Sequence, residues 1–427
     1  MIGKWKRFDT AKRPNRQWRI LMPITWAASF PKARSHRCKI DKSGMIPPTH
    51  PSLDKPRNKK PRLKPPYFIL CNHNSFMDFM ILTRAIFPRR ANYVVAIDGF
   101  IGMEWLLRAI GCIGNRKFTR SVSLVKNMIA AKNNGDIVVL YPEARYSLCG
   151  TTAVLPESLA KMVRKMNVPV VTFICHGHHI NEPFWNLGNR KVKPIEAEMT
   201  QIITAEEIVF LSNDEIMSRI RKAFVYDDFA WQKEKGIKVK DKKRAEGLHK
   251  VLYQCPACKT EYKMESSGIN VSCAHCGKTW EMTELGELKA LSGDTEFSHI
   301  PDWYEWEREN VRREVQDGIY KFEHEVRITS LPNTKKFRNL GMGNLIHDIN
   351  GFVLTGTYKK KPFEVRWSVP EMYSCHIEYD YKGQGQCIDL NTLEDTFYVY
   401  PQGSDFAVTK VALATEELFQ SATGKEG

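Results

Sequence analysis

Cys255-Pro-Ala-Cys258 and Cys273-Ala-His-Cys276 stand fourteen residues apart, and no other pattern in the chain limits a local fold so tightly. Each Cys-x-x-Cys turn can present two thiolates on one knuckle, and two facing knuckles give the tetrahedral sulfur set that Zn2+ prefers. Gly277 follows the second knuckle, and the stretch between the pairs is short enough for one hairpin. Four thiolates leave no open coordination position, so Cys255, Cys258, Cys273 and Cys276 are expected to hold a structural ion rather than a reactive one; an iron centre or a redox dithiol is the alternative chemistry. The other seven cysteines show no regular spacing.

At 427 residues the chain exceeds one ordinary core and is expected to divide into two or three domains. With 42% hydrophobic and 26% charged residues and no internal repeat, it is neither mostly disordered nor fibrous. The cysteine-bearing segment resembles a rubredoxin-like zinc ribbon, here over residues 251–290. Upstream, apolar strands alternate with amphipathic helices: strands at Tyr67–Cys71, Tyr93–Ile97, Ile137–Tyr141 and Val168–Ile174, helices at Phe79–Phe87, Met103–Ile110, Ser121–Lys132 and Ser158–Met166. This implies an α/β fold over residues 65–231, a mostly parallel sheet flanked by helices. Ligands of such sheets sit beyond the carboxyl ends of the strands. A helical run over Glu206–Phe224 follows, and the Lys-, Glu- and Asp-rich stretch 232–250 reads as a linker. Residues 291–427 read as a small β-rich barrel or sandwich of the pleckstrin-homology kind, with turns at Asn350-Gly351 and Lys382-Gly383-Gln384-Gly385 and a closing helix over Ala412–Ala422.

The net charge of +16 is concentrated at one end: residues 1–64 hold 18 Lys and Arg against Asp9, Asp41 and Asp54, and the other 363 residues are close to neutral. A basic arm of this kind binds something anionic, either nucleic acid or the acidic face of a membrane. Trp5, Trp18, Ile20, Leu21, Met22, Ile24, Trp26 and Phe30 lie among its cations. That mixture suits a helix lying in a bilayer interface, base stacking on a single strand, or a tail whose apolar residues dock on the body. No stretch approaches the roughly 18 apolar residues of a membrane span, and the N-terminus lacks the apolar run and cleavage site of a signal peptide. The expectation is a protein at the cytoplasmic face of the cell membrane, peripheral or monotopic, on an anionic membrane surface.

The chemistry-bearing residues fall at strand ends. Cys71-Asn72-His73-Asn74-Ser75-Phe76-Met77-Asp78 follows the first strand. His73 stands just before a helix and Asp78 one turn into it, where a carboxylate can fix the imidazole tautomer and stabilise the imidazolium. Asp78 also has a structural explanation, a capping box with Ser75. Gly111-Cys112-Ile113-Gly114-Asn115-Arg116-Lys117 ends in two cations, and the third strand runs into Tyr141-Pro142-Glu143-Ala144-Arg145-Tyr146-Ser147. Cys71, buried in a strand, reads as inert. Cys175-His176-Gly177-His178-His179 invites a second metal site, a lining of the cleft, or ordinary structural roles; ligands this close in a strand seldom converge on one ion.

Together with Asn167-Val168-Pro169-Val170-Val171, these blocks resemble, in order, the four motifs of the glycerolipid acyltransferase family, the lysophosphatidic acid acyltransferases and their relatives, over residues 66 to about 180. The resemblance puts His73 and Asp78 at the family's His-x4-Asp motif and Arg116 at its second-motif arginine. In the third motif Pro142, Glu143 and Ser147 match, whereas Ala144 replaces Gly, Arg145 replaces Thr and Tyr146 replaces Arg. It implies transfer of a fatty acyl group from an acyl thioester, acyl-CoA or acyl-carrier protein, to a lipid hydroxyl, most simply that of a lysophosphatidate-type lyso-lipid acceptor. His73, oriented by Asp78, would take the hydroxyl proton. Glu143 would position the acceptor hydroxyls, and Arg116, with Arg145 and Lys117, would pair with a phosphate; the plain alternative for Arg116 is a solvated surface cation. Two other classes remain: a zinc-ribbon nucleic-acid-binding protein, disfavoured because Glu261, Glu265, Glu281, Glu284 and Glu287 surround the knuckles, and a catalytically inactive lipid-binding scaffold.

Overall fold

The structure is a computed structural model, and it describes residues 2–3, 5–15, 21–45, 63–188 and 190–424. Seven strands build the first sheet: β1 (Lys39–Asp41), β2 (Phe68–Cys71), β3 (Ala91–Ala96), β4 (Ile113–Asn115), β5 (Ile137–Leu140), β6 (Val170–His176) and β7 (Glu196–Ile203). Their spatial order is β1-β7-β6-β2-β5-β3-β4. From β6 to β4 all neighbours run parallel, while β7 lies antiparallel to β6 and carries β1 parallel to itself.

Strands buried on both faces read as unbroken apolar runs, and β2, Phe-Ile-Leu-Cys, is one. Phe68 and Leu70 pack with Leu124 and Met128 of α4 (Val122–Asn133), Leu159 and Val163 of α5 (Ser158–Met166), and Ile220 of α8 (Asn213–Ala223). Ile69 and Cys71 point the other way, toward Met77, Ile81 and Ala85 of α2 (Met77–Ile86). Helix α1 (Met22–Ser35) and the short helices α3 (Glu104–Ala109), α6 (His178–Asn181), α7 (Glu207–Phe210) and α9 (Asp228–Glu234) complete the layer arrangement. The expected mostly parallel α/β sheet is present, with a single antiparallel pairing, β6 with β7, that makes its far edge mixed. β7 alternates buried with open positions and carries Glu196, Glu198 and Thr200, so it lacks the apolar run that marks the central strands. β1 and β4 are three residues each, too short for any periodicity.

The basic N-terminal stretch does not form a separate arm where it is described. β1 completes the sheet edge, Trp26 and Phe30 of α1 pack edge-on against Phe87 at 4.6 and 5.2 Å, and Arg7 pairs with Asp395 at 2.6 Å. Phe8 lies so close to Gly114 that a Cβ there would meet its ring at 2.5 Å. Trp18 and Ile20 lie outside the described residues. The stretch expected as a linker, 232–250, is likewise packed: Val239, Ala245 and Leu248 are buried in the same core as the cysteine-bearing segment.

That segment is a four-stranded antiparallel sheet, β8 (Met264–Ser267), β9 (Asn270–Cys273), β10 (Thr279–Met282) and β11 (Leu288–Ala290), in order β11-β10-β9-β8. Trp280 is fully buried and meets Trp303 of α10 (Ile300–Gln316) edge-on at 5.0 Å. The β-rich C-terminal region follows, with β12 (Phe322–Ser330), β13 (Arg338–Asp348), β14 (Gly351–Tyr358), β15 (Lys361–Trp367), β16 (His376–Glu378), β17 (Cys387–Asn391) and β18 (Thr396–Pro401). These pair antiparallel throughout, in order β15-β14-β13-β12-β18-β17-β16, and α11 (Val408–Thr423) packs against them. No helix among the described residues is long and apolar enough to cross a membrane.

Candidate active site

The site begins where β2 ends. Asn72 is buried and clamps itself to β6, its Nδ2 donating to the Cys175 carbonyl at 3.0 Å and its Oδ1 accepting from the Cys175 N–H at 2.8 Å. His73 is thereby set at the carboxyl edge. Its own N–H donates to Glu143 Oε2 at 2.6 Å and its carbonyl accepts from the Ser147 N–H at 2.8 Å. The ring lies between Tyr141 and Tyr146, with centroids 4.4 and 4.3 Å away. The side chain is 24% exposed.

Nδ1 of His73 lies 3.2 Å from Asp78 Oδ2. Because a carboxylate only accepts, Nδ1 carries the hydrogen, which leaves Nε2 as the basic nitrogen. Asp78 is fully buried and heavily bonded. Oδ2 also accepts from the N–H groups of Asn74 and Ser75 at 2.7 and 3.0 Å, and Oδ1 accepts from His178 Nδ1 at 2.5 Å. Burial pushes its carboxyl up, but hydrogen bonds from His178 and His73 outweigh it and hold the group at about 2. Of the expected capping box only the Asp78 half is present: Asp78 Oδ2 takes the Ser75 N–H, whereas Ser75 Oγ accepts from the Met77 N–H at 3.1 Å rather than from the Asp78 N–H, and the helix starts after Phe76 with no side-chain cap. One carboxylate thus serves both purposes.

His178 is the functional partner that the sequence reading did not single out. It is fully buried, and although burial lowers its basicity, the neighbouring Cys175 and the bond to Asp78 raise it well above the ordinary imidazole range. Its position two residues past the end of β6 was the available signal, hidden among three histidines. Within that cluster His176 stacks on Trp231 at 6.2 Å and His179 is wedged between Trp185 and Phe229. Cys71 is buried in β2, where burial pushes its thiol well up.

The remaining predicted residues are placed differently from expectation. Glu143 is sealed, with Oε1 accepting from the Ala153 N–H at 2.8 Å and the Tyr226 hydroxyl at 3.2 Å, so both oxygens brace the loops around His73 rather than meet an acceptor. Burial pushes its carboxyl up to about 8 against those donors. Arg116 is 2% exposed and its guanidinium is spent on the C-terminal region, donating to Leu331 O, Pro332 O, Glu394 O and Thr396 Oγ1 at 2.6–3.2 Å. It is neither a solvated cation nor open to a phosphate. Arg145 is buried against Glu416 of α11 at 2.6 Å. Lys117 is half-buried beyond β4 and forms no ion pair within 4 Å among the described residues. Ala144 takes a left-handed φ of +55° at the position where a glycine would carry no strain.

Farther away, the four cysteine sulfurs Cys255, Cys258, Cys273 and Cys276 lie within 4.8 Å of one another. The Cys255–Cys276 and Cys258–Cys273 separations are 3.7 and 3.8 Å. A tetrahedron with metal–sulfur bonds of about 2.3 Å has edges of about 3.8 Å, whereas a disulfide needs about 2.05 Å. After each knuckle a left-handed residue, Lys259 or Gly277, turns the chain so that its N–H reaches the first cysteine's carbonyl, at 2.9 and 2.8 Å.

Comparison with known proteins bears on the first site. The family model described as acyltransferase matches residues 52–176, which include His73, Asp78, Glu143 and the strands that carry them. No curated protein matches this chain. Among solved structures the chain is similar to the 1-acyl-sn-glycerophosphate (LPA) acyltransferase PlsC of Thermotoga maritima, at 15% identity, with 48% of this chain and 76% of that chain covered and a TM-score of 0.36; a likeness that weak carries no argument below. The segment that holds the His73–Asp78 pair is an acyltransferase-family segment.

Proposed function

We propose that the protein transfers a fatty acyl group from an acyl thioester, acyl-CoA or acyl-carrier protein, to a lipid hydroxyl. The observation that carries this reading is the His73–Asp78 contact at 3.2 Å on a ring still open to solvent, inside an acyltransferase-family segment. His73 Nε2 takes the hydroxyl proton while the acceptor oxygen attacks the thioester carbonyl. The tetrahedral intermediate then expels the thiolate, and the imidazolium returns its proton to that sulfur, so the products are an ester and a thiol. Asp78 keeps Nδ1 protonated and stabilises the imidazolium. Glu143 and Ser147 are positioning residues that fix the His73 backbone.

The rim of this edge supports a bilayer as the place of work. Phe76, Met103 and Trp105 are exposed close to the carboxyl ends of β2 and β3, with Ile24 of α1 exposed as well. Exposed aromatics beside basic residues suit a protein lying in the interface of an anionic membrane. We also read the four cysteines as the ligands of a structural Zn2+, since their sulfur separations suit a closed tetrahedral site that supplies folding energy and no chemistry. The strand order and terminal helix of residues 322–423 support the pleckstrin-homology reading of that region.

Mass spectrometry of lipids after incubation with an acyl-thioester and a panel of lyso-lipids tests the activity. A new acyl chain on an acceptor is expected; hydrolysis of the thioester with no acylated lipid contradicts the reading. Metal analysis of the purified chain is expected to give one zinc per molecule, and none after replacement of Cys255 and Cys273.

A further inference from the structure

Asp78 faces two imidazoles, and the acyl-transfer reading uses only one of them. The two carboxylate oxygens are engaged unequally. Oδ2 accepts from His73 Nδ1 and from the Asn74 and Ser75 N–H groups at 2.7–3.2 Å, whereas among the described residues Oδ1 accepts only from His178 Nδ1, at 2.5 Å. Both side chains of that short contact are sealed from solvent. His178 lies just beyond the acyltransferase-family segment, which ends at residue 176.

The chain fixes His178 from both sides. Gly177, with a φ of +81°, turns the backbone out of β6, and a Cβ there would meet the Trp231 ring at 2.6 Å, so a glycine is required. Asp228 of α9 is buried, and its carboxylate accepts from the Gly177 N–H at 3.0 Å and from the His179 N–H at 2.8 Å, one on each side of His178. One carboxylate clamps the turn, and the turn aims Nδ1 at the other. Nε2 of His178 makes no hydrogen bond among the described residues.

A donor on a carboxylate oxygen draws off charge that would otherwise hold a neighbouring imidazolium. His178 does this whether its ring carries one proton or two, because Nδ1–H donates in both. The sign is the same whichever member of the Asp78–His73 pair would take the extra proton. Few other groups compete. Cys175 Sγ lies within 4.8 Å of the facing Asp78 and His178 atoms, and burial pushes that thiol up to about 12; Cys38 faces the ring from ahead of β1. Cys71 and the tyrosines 141 and 146 are pushed well up by burial, while His176 and His179 are pushed down to about 4 and about 3. Asp228 and Glu143, raised by burial to about 7 and about 8, bond backbone N–H groups and do not touch the Asp78 carboxylate.

We infer that His178 is a positioning residue of the acyl transfer: its bond to Oδ1 holds Asp78 in place for His73 and keeps the Asp78–His73 pair from taking up an extra proton near neutral pH, which leaves Nε2 of His73 able to accept one. This inference rests on the acyl-transfer reading and deepens it.

The test follows kcat/KM against pH for the intact protein, for His178→Leu, which removes the donor, and for His178→Asn, whose amide can donate from close to the place of Nδ1. His178→Leu is expected to move the acid limb of the profile upward by about one pH unit, a loss of about tenfold below the limb, with the plateau above it changed little. His178→Asn is expected to stay closer to the wild type than to the leucine variant. A loss of equal size at every pH, as a merely structural histidine would give, overturns the inference; so does a limb that stays in place, or an asparagine variant that matches the leucine one. NMR of histidine-labelled protein, with the His73 resonances assigned through His73→Ala, reads the same points without turnover. In the wild type, which needs no variant to fold, Nδ1 of His178 should stay protonated from about pH 5 to 9, and an unprotonated Nδ1 overturns the inference. If the wild type acylates no acceptor, the acyl-transfer reading falls, while the His73 titration in the three proteins still decides this one.

Discussion

Asp78 and Glu416 are each sealed from solvent, and each accepts from two basic side chains: His73 and His178 in one case, Arg145 and Arg308 in the other. Their partners differ in what else they can reach. His73 keeps 24% of its side chain in solvent, whereas Arg145 keeps 3%. An imidazole with one free nitrogen can pass a proton to and fro; a permanently charged guanidinium walled in by the C-terminal helix can only hold two parts of the molecule together. The third block, which resembles a phosphate-binding one, has therefore become an attachment between the α/β region and α11, while the first block keeps an imidazole, open to solvent, on a buried carboxylate. Position in a motif did not decide the role; access to solvent did.

Breaking the Glu416 centre should have the largest effect on stability. Glu416→Gln leaves the buried Arg145 without a compensating charge and takes from Arg308 one of its three carboxylates, Glu305 and Glu417 remaining, and a loss of about 3–5 kcal/mol in chemical denaturation is expected, with the activity per folded molecule changed only a few-fold. A comparable fall in activity with stability intact would mean that Arg145 has a direct role after all.

Breaking the Asp78 centre should do the reverse. Asp78→Asn removes the tautomer lock on His73, with acyl transfer expected to fall at least about a hundredfold. Its stability effect is smaller, about 2 kcal/mol, from a carboxyl held at about 2 rather than its usual 3.8. A depressed carboxyl contributes stability that is complete above the ordinary value and disappears as pH falls through about 2. The wild type should therefore lose this increment on acidification below about pH 4, and the Asn variant should lack that part of the slope. His178, held above the ordinary imidazole range, contributes in the opposite sense: its share is complete below the unfolded value and declines only as pH rises through the raised one.

The smallest effect sharpens the comparison within one loop. Ala144 adopts a left-handed φ between Glu143, which braces His73, and Arg145, which binds Glu416. Ala144→Gly should relieve that strain and raise stability by up to about 1 kcal/mol, net of the added freedom of the unfolded chain. A loss of stability on thermal unfolding would show that the alanine methyl is needed for packing.

Much of the α/β half was legible because its signals are local. β2 is an unbroken apolar run, Ser158–Met166 was bounded correctly by its amphipathic spacing, and His73 and Asp78 sit one turn apart at a strand end. The cysteine pairs announced their own geometry. What stayed hidden depends on distant chain. Nothing near Arg116 in sequence points to Leu331, Pro332, Glu394 and Thr396, and nothing near Arg145 points to Glu416. His178 was visible as one histidine of a cluster, but its bond to Asp78 spans a hundred residues. The edge strands escaped for a different reason: β1 and β4 have three residues, and β7 shows only one face to the core.

The central claim concerns one nitrogen, Nε2 of His73, and a matched comparison of wild type with His73→Ala tests it most directly. Acyl transfer to a lyso-lipid hydroxyl and thermal unfolding would be followed on the same preparations. The account predicts that the substitution lowers the transfer rate by a factor of about 10^2–10^4 while the unfolding transition moves little, since the ring is partly exposed and bonded through one atom. Transfer that continues at the wild-type rate without the imidazole would contradict it.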